Sequence, residues 1–225
     1  IIVAMPGPPN ELKEMWEAEV LPRLRKRVTG QIILTRTIKT IGLSEAAVDE
    51  MIGEYFGKEN PYLGIYAKPD GIHLRIIARA MTSEEARALI APMEAGIRKV
   101  LEPNIWGFDN QAPEETIATL LRQKKLTLAT MESCTGGSLA SSITDVPGSS
   151  DYFKGGIVSY TNLAKTASGV DAGLIAEHGA VSPEVAGAMA EAVRSRLGAD
   201  IGIGITGVAG PSETEGKPVG TVFIA

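Results

Sequence analysis

The pattern of apolar and polar positions divides the 225-residue chain into three blocks, and the first of them is short. Residues 1–4 predict the end of a strand, and the apolar residues that follow recur at helical spacing up to about residue 28, with Asn10 as the N-cap. The helical apolar set is Leu12, Met15, Trp16, Val20 and Leu24. A block of this length is too short to enclose a core of its own.

In the middle block, residues 29–110, some stretches have the apolar spacing of strands and others that of helices, which predicts a small α+β module. Ser44 and Thr82 precede the two helical stretches as N-caps, and the turn at residues 68–71 predicts a hairpin. The predicted elements are strand 32–38, a helix after Ser44 to about Phe56, strands 63–66 and 73–77, and a helix after Thr82 to Leu101.

In the third block, residues 111–225, apolar strands alternate with helical stretches. The predicted elements are helix 113–123, strand 126–130, helix 138–143, strand 155–160, helix 163–167, a helix opened by Ser182 and Pro183, strand 201–205 and a strand from 219 onwards. Such alternation predicts an α/β sandwich in which helices cover a mostly parallel sheet.

Composition excludes several classes of protein but does not indicate which reaction the chain catalyses. The chain is 44% hydrophobic and 22% charged with a formal net charge of -5, which disfavours a nucleic-acid or anionic-membrane binder. Its one cysteine, Cys134, allows no internal disulfide, and we find neither a signal peptide nor an apolar run of 18 residues, so we expect a cytoplasmic protein. Because the chain opens without Met and closes on an apolar run, we interpret it as a piece of a longer protein.

The first candidate for chemistry is Ser133, at a predicted strand-to-helix turn. Glycines beside a hydroxyl let a substrate approach the backbone, so N–H groups near residues 135–137 are predicted to stabilise an oxyanion. Cys134 competes as nucleophile, but a catalytic thiolate normally has a His partner and neither His73 nor His178 is placed for that role, so we favour a structural cysteine.

A second candidate is the pair Tyr160 and Lys165, which converge if Tyr160 ends a strand and Lys165 lies one turn into the next helix. A buried, neutral lysine can serve as the base for a serine nucleophile. The pair superficially resembles the Tyr-x-x-x-Lys motif of short-chain dehydrogenases, but it is one residue too long and no G-x-G-x-x-G fingerprint follows a strand. The sequence contains neither an H-E-x-x-H motif nor a Cys/His cluster, so it does not support a metal-dependent hydrolase.

Two further sites stay open. Ser150 lies on another predicted strand-to-helix turn and could be the attacking or bridging hydroxyl in place of Ser133. Thr206 and Gly207 begin a glycine-rich loop after an apolar strand, and such loops at strand ends often line ligand sites in α/β sheets.

At these residues the chain resembles the CinA family, the competence/damage-inducible proteins A. The resemblance covers residues 111–225 through a specific set of motifs. They are Glu132-Ser133-Cys134-Thr135-Gly136-Gly137, Pro147-Gly148-Ser149-Ser150, Ser159-Tyr160-Thr161-Asn162 with Lys165, residues 178–182, residues 206–211 and residues 217–222. The chain departs from the family pattern at Met131, where a small residue is usual, and at the loop 212–215, which is often richer in glycine.

The resemblance implies a nicotinamide mononucleotide amidohydrolase that serves nucleotide salvage with a Ser/Lys dyad and without a metal or other cofactor. Ser133 would be the nucleophile, Lys165 the base and later the acid, and Tyr160 would orient Lys165 or relay its proton. Substrate contacts would come from Glu132, Thr135, Gly136, Gly137, Asn162, Thr206 and Gly207.

The resemblance extends to the earlier blocks. Residues 1–28 resemble the tail of a molybdopterin-binding-like domain that hydrolyses ADP-ribose in some members, and residues 29–110 resemble a KH-like linker without the G-x-x-G loop, so RNA binding is not implied. The family also implies a homodimer. The alternative from another class is a non-catalytic nucleotide-binding or scaffold fragment.

Overall fold

The computed structural model describes residues 2–5, 7–27 and 30–225, and the chain forms two compact units, Ile1–Asn110 and Gln111–Ala225. Each unit has its own sheet and its own apolar core. Over the described ranges, none of the helices combines the length and the apolar character that a membrane span needs.

The first unit begins with a helical segment rather than with the predicted strand. Residues 2–5 carry no regular secondary structure, and the segment runs through α1 (Pro9–Met15), a π-helical turn (Trp16–Val20) and α2 (Leu21–Arg27). Pro8, not Asn10, is the N-cap, which places a proline at the first helical position, where no N–H is needed. No residue of α1 is buried, as expected for an apolar stripe without a core to cover it.

The remainder of this unit is a four-stranded antiparallel sheet backed by two helices. Its elements are β1 (Ile32–Thr40), α3 (Glu45–Ile52), a 3-10 turn (Gly53–Tyr55), β2 (Tyr62–Lys68), β3 (Gly71–Ala80), α4 (Ser83–Leu101), a 3-10 turn (Glu102–Asn104) and β4 (Ile105–Phe108). The strand order is β2-β3-β1-β4. Predicted N-caps are confirmed: Ser44 Oγ accepts from Ala47 N at 3.2 Å and Thr82 Oγ1 from Glu85 N at 3.2 Å. Strand β4 was not predicted.

Alternation along β3 explains how this sheet builds its core. Every second residue from Ile72 to Ala80 is buried against the helices, and the residues between them are more exposed. Helix α4 contributes Ile90, Met93 and Ile97 to the same cluster. The core of this unit is therefore almost wholly aliphatic.

The second unit is an α/β sandwich, which confirms the predicted fold class. Its elements are α5 (Pro113–Lys124), β5 (Leu128–Glu132), α6 (Ser138–Thr144), a 3-10 turn (Ser149–Asp151), β6 (Phe153–Val158), α7 (Asn162–Ala167), α8 (Ala172–His178), α9 (Pro183–Leu197), β7 (Ile201–Gly207) and β8 (Val222–Ile224). The strand order is β6-β5-β7-β8, with β8 alone antiparallel to its neighbour.

Helix α9 packs closely on β7 because glycines leave room for it. A Cβ at Gly204 would lie 2.1 Å from the carbonyl oxygen of Ala186, and one at Gly202 would lie 2.1 Å from that of Ala190. Val185 and Met189 then fill the space between the helix and the sheet with no exposed surface. This close approach fixes the start of α9 beside the carboxyl ends of β5 and β7.

Three strand predictions in this unit were shifted along the chain, and the last of them is β8, which was expected from residue 219 onwards and lies at Val222–Ile224. Strand β5 was expected at residues 126–130 and lies at Leu128–Glu132, whereas β6 was expected at 155–160 and lies at Phe153–Val158. Helix α8 was not predicted. The strand β5 extends to a buried glutamate because that carboxylate finds its partners in the following loop and in the first turn of α6.

Candidate active site

The carboxyl ends of three parallel strands meet at one edge of the second sheet. Ser133 N donates to Ile205 O at 2.9 Å, and Ser159 N donates to Glu132 O at 2.7 Å. These two bonds extend the strand pairing one residue past β5 and β6 and place Ser133 between the carboxyl ends of β6 and β7. In an open α/β sheet this edge is where ligands usually bind.

A buried lysine contacts the serine at this edge. Lys165, on α7, places its Nζ 2.9 Å from Ser133 Oγ and 3.0 Å from Ser159 O. Lys165 is 2% exposed and Ser133 is 6% exposed. The geometry places a nitrogen within proton-transfer distance of a hydroxyl, and the Ser159 carbonyl orients that nitrogen.

Burial changes the protonation of this lysine. The pKa of Lys165 lies below its ordinary value because burial penalises the ammonium, although the nearby Cys134 and Glu215 act in the opposite direction. A lowered pKa makes the neutral amine more abundant near neutral pH. The neutral amine is the form that can accept a proton from Ser133.

The loop after Ser133 is held by the carboxylate of Glu132. This side chain is 1% exposed and accepts hydrogen bonds from the backbone N–H groups of Gly137 at 3.1 Å, Leu139 at 3.0 Å and Ala140 at 2.8 Å. Burial alone would raise the pKa of Glu132, but the hydrogen bonds that it accepts outweigh burial and lower it. Because its oxygens accept hydrogen bonds from the loop and from the first turn of α6, the Glu132 carboxylate holds this backbone in place, and its predicted contact with the substrate stays a prediction.

Of the N–H groups near residues 135–137 that were predicted to stabilise an oxyanion, the two glycine donors are engaged within the protein. Gly136 N donates to Ser133 O at 3.1 Å and Gly137 N to the Glu132 carboxylate, so neither N–H is open to a substrate. Among the described hydrogen bonds, none uses the N–H of Cys134 or Thr135. The N–H of the residue after the nucleophile is a common oxyanion donor. The two glycines instead supply left-handed backbone, with φ of 60° and 98°.

Thr206 and Gly207, at the end of β7, lie beside the dyad but contribute structure. Thr206 is 1% exposed, and its Oγ1 donates to Ala180 O at 2.7 Å. A Cβ at Gly207 would come within 2.7 Å of Thr221 O and 3.0 Å of Cys134 Sγ. The glycine thus permits the close approach of the serine loop, and the threonine hydroxyl is engaged with the turn before α9.

Comparison with known proteins gives the family. The model of the CinA C-terminal domain matches residues 110–225, and that of the damage-inducible protein CinA KH domain matches residues 35–107. This chain belongs to the CinA family.

Relatives in the CinA family match along the whole chain. A protein of Moorella thermoacetica, named provisionally as a competence-damage inducible protein, is 46% identical over 227 residues, which are 100% of this chain and 55% of the relative. A CinA-like protein of Frankia casuarinae is 45% identical over 231 residues, which are 100% of this chain and 53% of the relative. The chain thus spans about half the length of the curated relatives it matches.

A solved structure from the CinA superfamily is also similar. The competence-damaged protein superfamily member of Escherichia coli is 37% identical to this chain, with a TM-score of 0.49. The similarity covers 50% of this chain and 66% of that protein.

Three residues expected in the CinA site lie apart from the Ser133 hydroxyl. Tyr160 is 65% exposed, and no described hydrogen bond joins it to Lys165, whose orientation comes from the Ser159 carbonyl. Asn162, the first residue of α7, is exposed. Ser150 lies in the 3-10 turn before β6, at the opposite end of that strand from Ser159. The contact with Lys165 therefore favours Ser133 over Ser150.

Sequence reasoning missed two groups that the structure brings to this edge, Ser159 and Glu215. Ser159 acts through its carbonyl oxygen, and a backbone acceptor leaves no signature in residue type. Glu215 lies in the loop that departs from the family pattern, and its carboxylate accepts hydrogen bonds from the turn before α9. Across residues 2–5, 7–27 and 30–225, no three His, Cys, Asp or Glu side chains are grouped as a metal site requires.

Proposed function

We propose that this chain hydrolyses the carboxamide of nicotinamide mononucleotide, yielding nicotinate mononucleotide and ammonia in pyridine-nucleotide salvage. The contact between the buried Lys165 and Ser133, at 2.9 Å, carries the proposal. An amide demands both a strong nucleophile and a proton for its poor leaving group, and one lysine in this position can serve both needs. The choice of nucleotide rests on the family resemblance.

The proposed reaction proceeds through an acyl-enzyme. Neutral Lys165 takes the proton of Ser133 as Oγ attacks the amide carbon, and the N–H groups of Cys134 and Thr135 stabilise the oxyanion. The Lys165 ammonium then gives its proton to the departing nitrogen, which leaves as ammonia. Water attacks the acyl group with Lys165 again as base, and Lys165 then returns that proton to the departing Ser133 Oγ, so that one amide and one water yield one carboxylate and one ammonia.

Ammonia release from nicotinamide mononucleotide by the full-length protein tests the proposal, with and without a chelator. We expect Ser133→Ala and Lys165→Met each to lose about 10³-fold or more in kcat. Lys154→Met is the matched control, since Lys154 is an exposed lysine of the same sheet and should keep its activity. Ser150→Ala should also keep it.

Each other result has a definite meaning. Acyl transfer by Ser133→Ala but not by Ser150→Ala would move the nucleophile to Ser150. Nucleotide binding without ammonia release in the unmodified protein would replace the enzyme with a binding or scaffold unit. Activity lost only to the chelator would overturn the Ser/Lys mechanism.

A further inference from the structure

A carboxylate from a distant loop is bound by the turn that precedes α9. The two oxygens of Glu215 accept hydrogen bonds from Ala180 N at 2.8 Å and Val181 N at 3.0 Å. Each oxygen thus has its own backbone donor, an arrangement that favours the ionised carboxylate. Although burial alone would raise it, the pKa of Glu215 is lowered by these bonds, with the cations of Lys217 and Lys165 acting in the same direction.

The backbone on both sides is shaped for this contact. Gly179 has a φ of 79°, and a Cβ there would lie 2.3 Å from Glu215 Oε2, so only glycine admits the carboxylate. Glu215 itself has a φ of 55°, in a tight turn closed by reciprocal backbone bonds between Thr214 and Lys217 at 3.0 and 3.2 Å. Left-handed backbone at a non-glycine residue costs energy, and it persists where surrounding contacts hold it.

The same turn is tied to the active-site edge from the other side. Ala180 O accepts from Thr206 Oγ1 at 2.7 Å, and Gly179 O accepts from Ser182 Oγ at 3.0 Å. Ser182 also caps α9 through Val185 N at 3.2 Å. Residues 179–182 therefore join the end of β7, the start of α9 and the Glu215 loop through hydrogen bonds.

We propose that Glu215 is a positioning residue for the Ser133–Lys165 dyad, which fastens the loop of residues 211–217 to the turn and holds a fixed negative charge toward Lys165. The charge favours the ammonium that forms when Ser133 loses its proton, without itself touching the substrate. The Lys165 amine contacts Ser133 Oγ and Ser159 O, the nearby Cys134 and Glu215 favour its charged form, and Lys217 of the same loop acts on Glu215. The proposal deepens the proposed function and rests on the same dyad.

Direct titration of Lys165 separates this proposal from the reaction itself. The full-length protein carrying ¹³C-labelled lysine is titrated by NMR, with Lys165→Met to assign the Lys165 Cε signal. We expect Glu215→Gln to lower the titration midpoint of Lys165 by about 0.5–1 pH unit, because an opposite charge is removed. The matched control is Glu213→Gln, which removes the same charge from the same exposed loop at a residue without the hydrogen bonds that Ala180 N and Val181 N donate to Glu215, and it should leave the midpoint within about 0.2 unit.

Turnover and a second variant complete the design. The rise of kcat/KM with pH should move to lower pH in Glu215→Gln by the same amount as the NMR midpoint, with the plateau reduced about tenfold through loss of positioning. Glu215→Asp keeps the charge but shortens the side chain, so it should restore the midpoint and not the plateau.

The outcomes are distinguishable. An unchanged Lys165 midpoint in an active Glu215→Gln protein, or an equal shift in Glu213→Gln, would overturn the role of Glu215 and leave the reaction standing. A shifted midpoint in a protein that releases no ammonia would overturn the reaction and leave the positioning role standing.

Discussion

The two units of this chain bury very different groups. The antiparallel sheet of the first unit closes over aliphatic side chains, such as Leu74 and Ile76, and buries few polar side chains, Lys39 and Thr40 among them. The parallel sheet of the second unit buries polar and charged groups. They are Thr130, Glu132, Ser133, Ser159, Lys165, Ser182 and Thr206.

This difference indicates that the first unit is built for stability and that the second unit carries the reactive groups. Burying an ionisable group costs free energy unless hydrogen bonds or charges compensate it, so such groups collect where the protein needs reactive chemistry. Most of those in the second unit lie at one strand edge, around a serine and a lysine 2.9 Å apart. The first unit shows no comparable concentration among its described residues, and we expect it to respond to substitution as a packed core only.

Substitutions in the two cores should give the largest effects and test that separation. Ile76 and Met189 are both fully buried, the first in the β3 core and the second between α9 and β7. Each substitution by Ala should cost about 2–5 kcal/mol of unfolding free energy in its own unit. Only Met189→Ala should also lower kcat, by about tenfold, because α9 positions the turn beside the dyad.

In the 225-residue chain, tryptophan fluorescence can follow the first unit alone, since both tryptophans of this chain, Trp16 and Trp106, belong to that unit. Urea unfolding should therefore show a lower fluorescence midpoint for Ile76→Ala and an unchanged one for Met189→Ala, with ammonia release reporting the second unit. Loss of activity in folded Ile76→Ala would show that the units are coupled and break the comparison.

Substitution of one carboxylate in each unit, buried in the second and partly exposed in the first, gives the next largest effect. Glu132→Gln places an amide N–H₂ against backbone donors and should cost about 2–4 kcal/mol at pH 7, with a loss of activity of at least tenfold. Glu94, in the first unit, is partly exposed and pairs with Arg36 at 2.9 Å, so Glu94→Gln should cost about 1 kcal/mol or less.

The pH dependence sharpens this prediction. Because the pKa of Glu132 is lowered in the folded state, its stabilising contribution is full above its ordinary value of 4.5 and is lost as pH falls through the folded value. The stability gap between the protein and Glu132→Gln should therefore narrow on acidification. A gap of constant size from pH 7 to pH 3 would contradict a role for the ionised carboxylate.

Local signals in the sequence predicted much of both units, and contacts distant in sequence account for what was missed. Ser44, Thr82 and Ser182 cap helices as expected, since a cap needs only its own first turn. Strand ends shifted by two residues because the limit of β5 depends on Glu132, whose partners belong to the following loop and helix.

The same reasoning applies to the site. Ser133 and Lys165 could be singled out by residue type, whereas the Ser159 carbonyl and the Glu215 carboxylate reach the site only through the tertiary fold. Side-chain identity likewise could not show that Gly136 and Gly137 have no free N–H to offer. Backbone donors follow from turn geometry, which a motif does not encode.

The smallest effect, and the most direct contrast with the first unit, is a gain in stability. Lys165→Met removes a buried amine, and we expect it to raise the unfolding free energy by about 1 kcal/mol at pH 7, after the lost hydrogen bond to Ser159 O is allowed for.

The pH dependence tests this gain. Because the pKa of Lys165 is lowered in the folded state, the unfolded chain binds the proton more readily. The free-energy cost of burying the charged amine is therefore full below the folded pKa and fades as pH rises toward 10.5. The gain should therefore shrink between pH 7 and pH 10 in urea unfolding, while the exposed Lys154→Met stays within about 0.5 kcal/mol throughout. If Lys165→Met were less stable than the unmodified protein at every pH, the buried lysine would stabilise the fold. The contrast between a first unit built for stability and a second unit that gives up stability for reactivity would then not hold for Lys165.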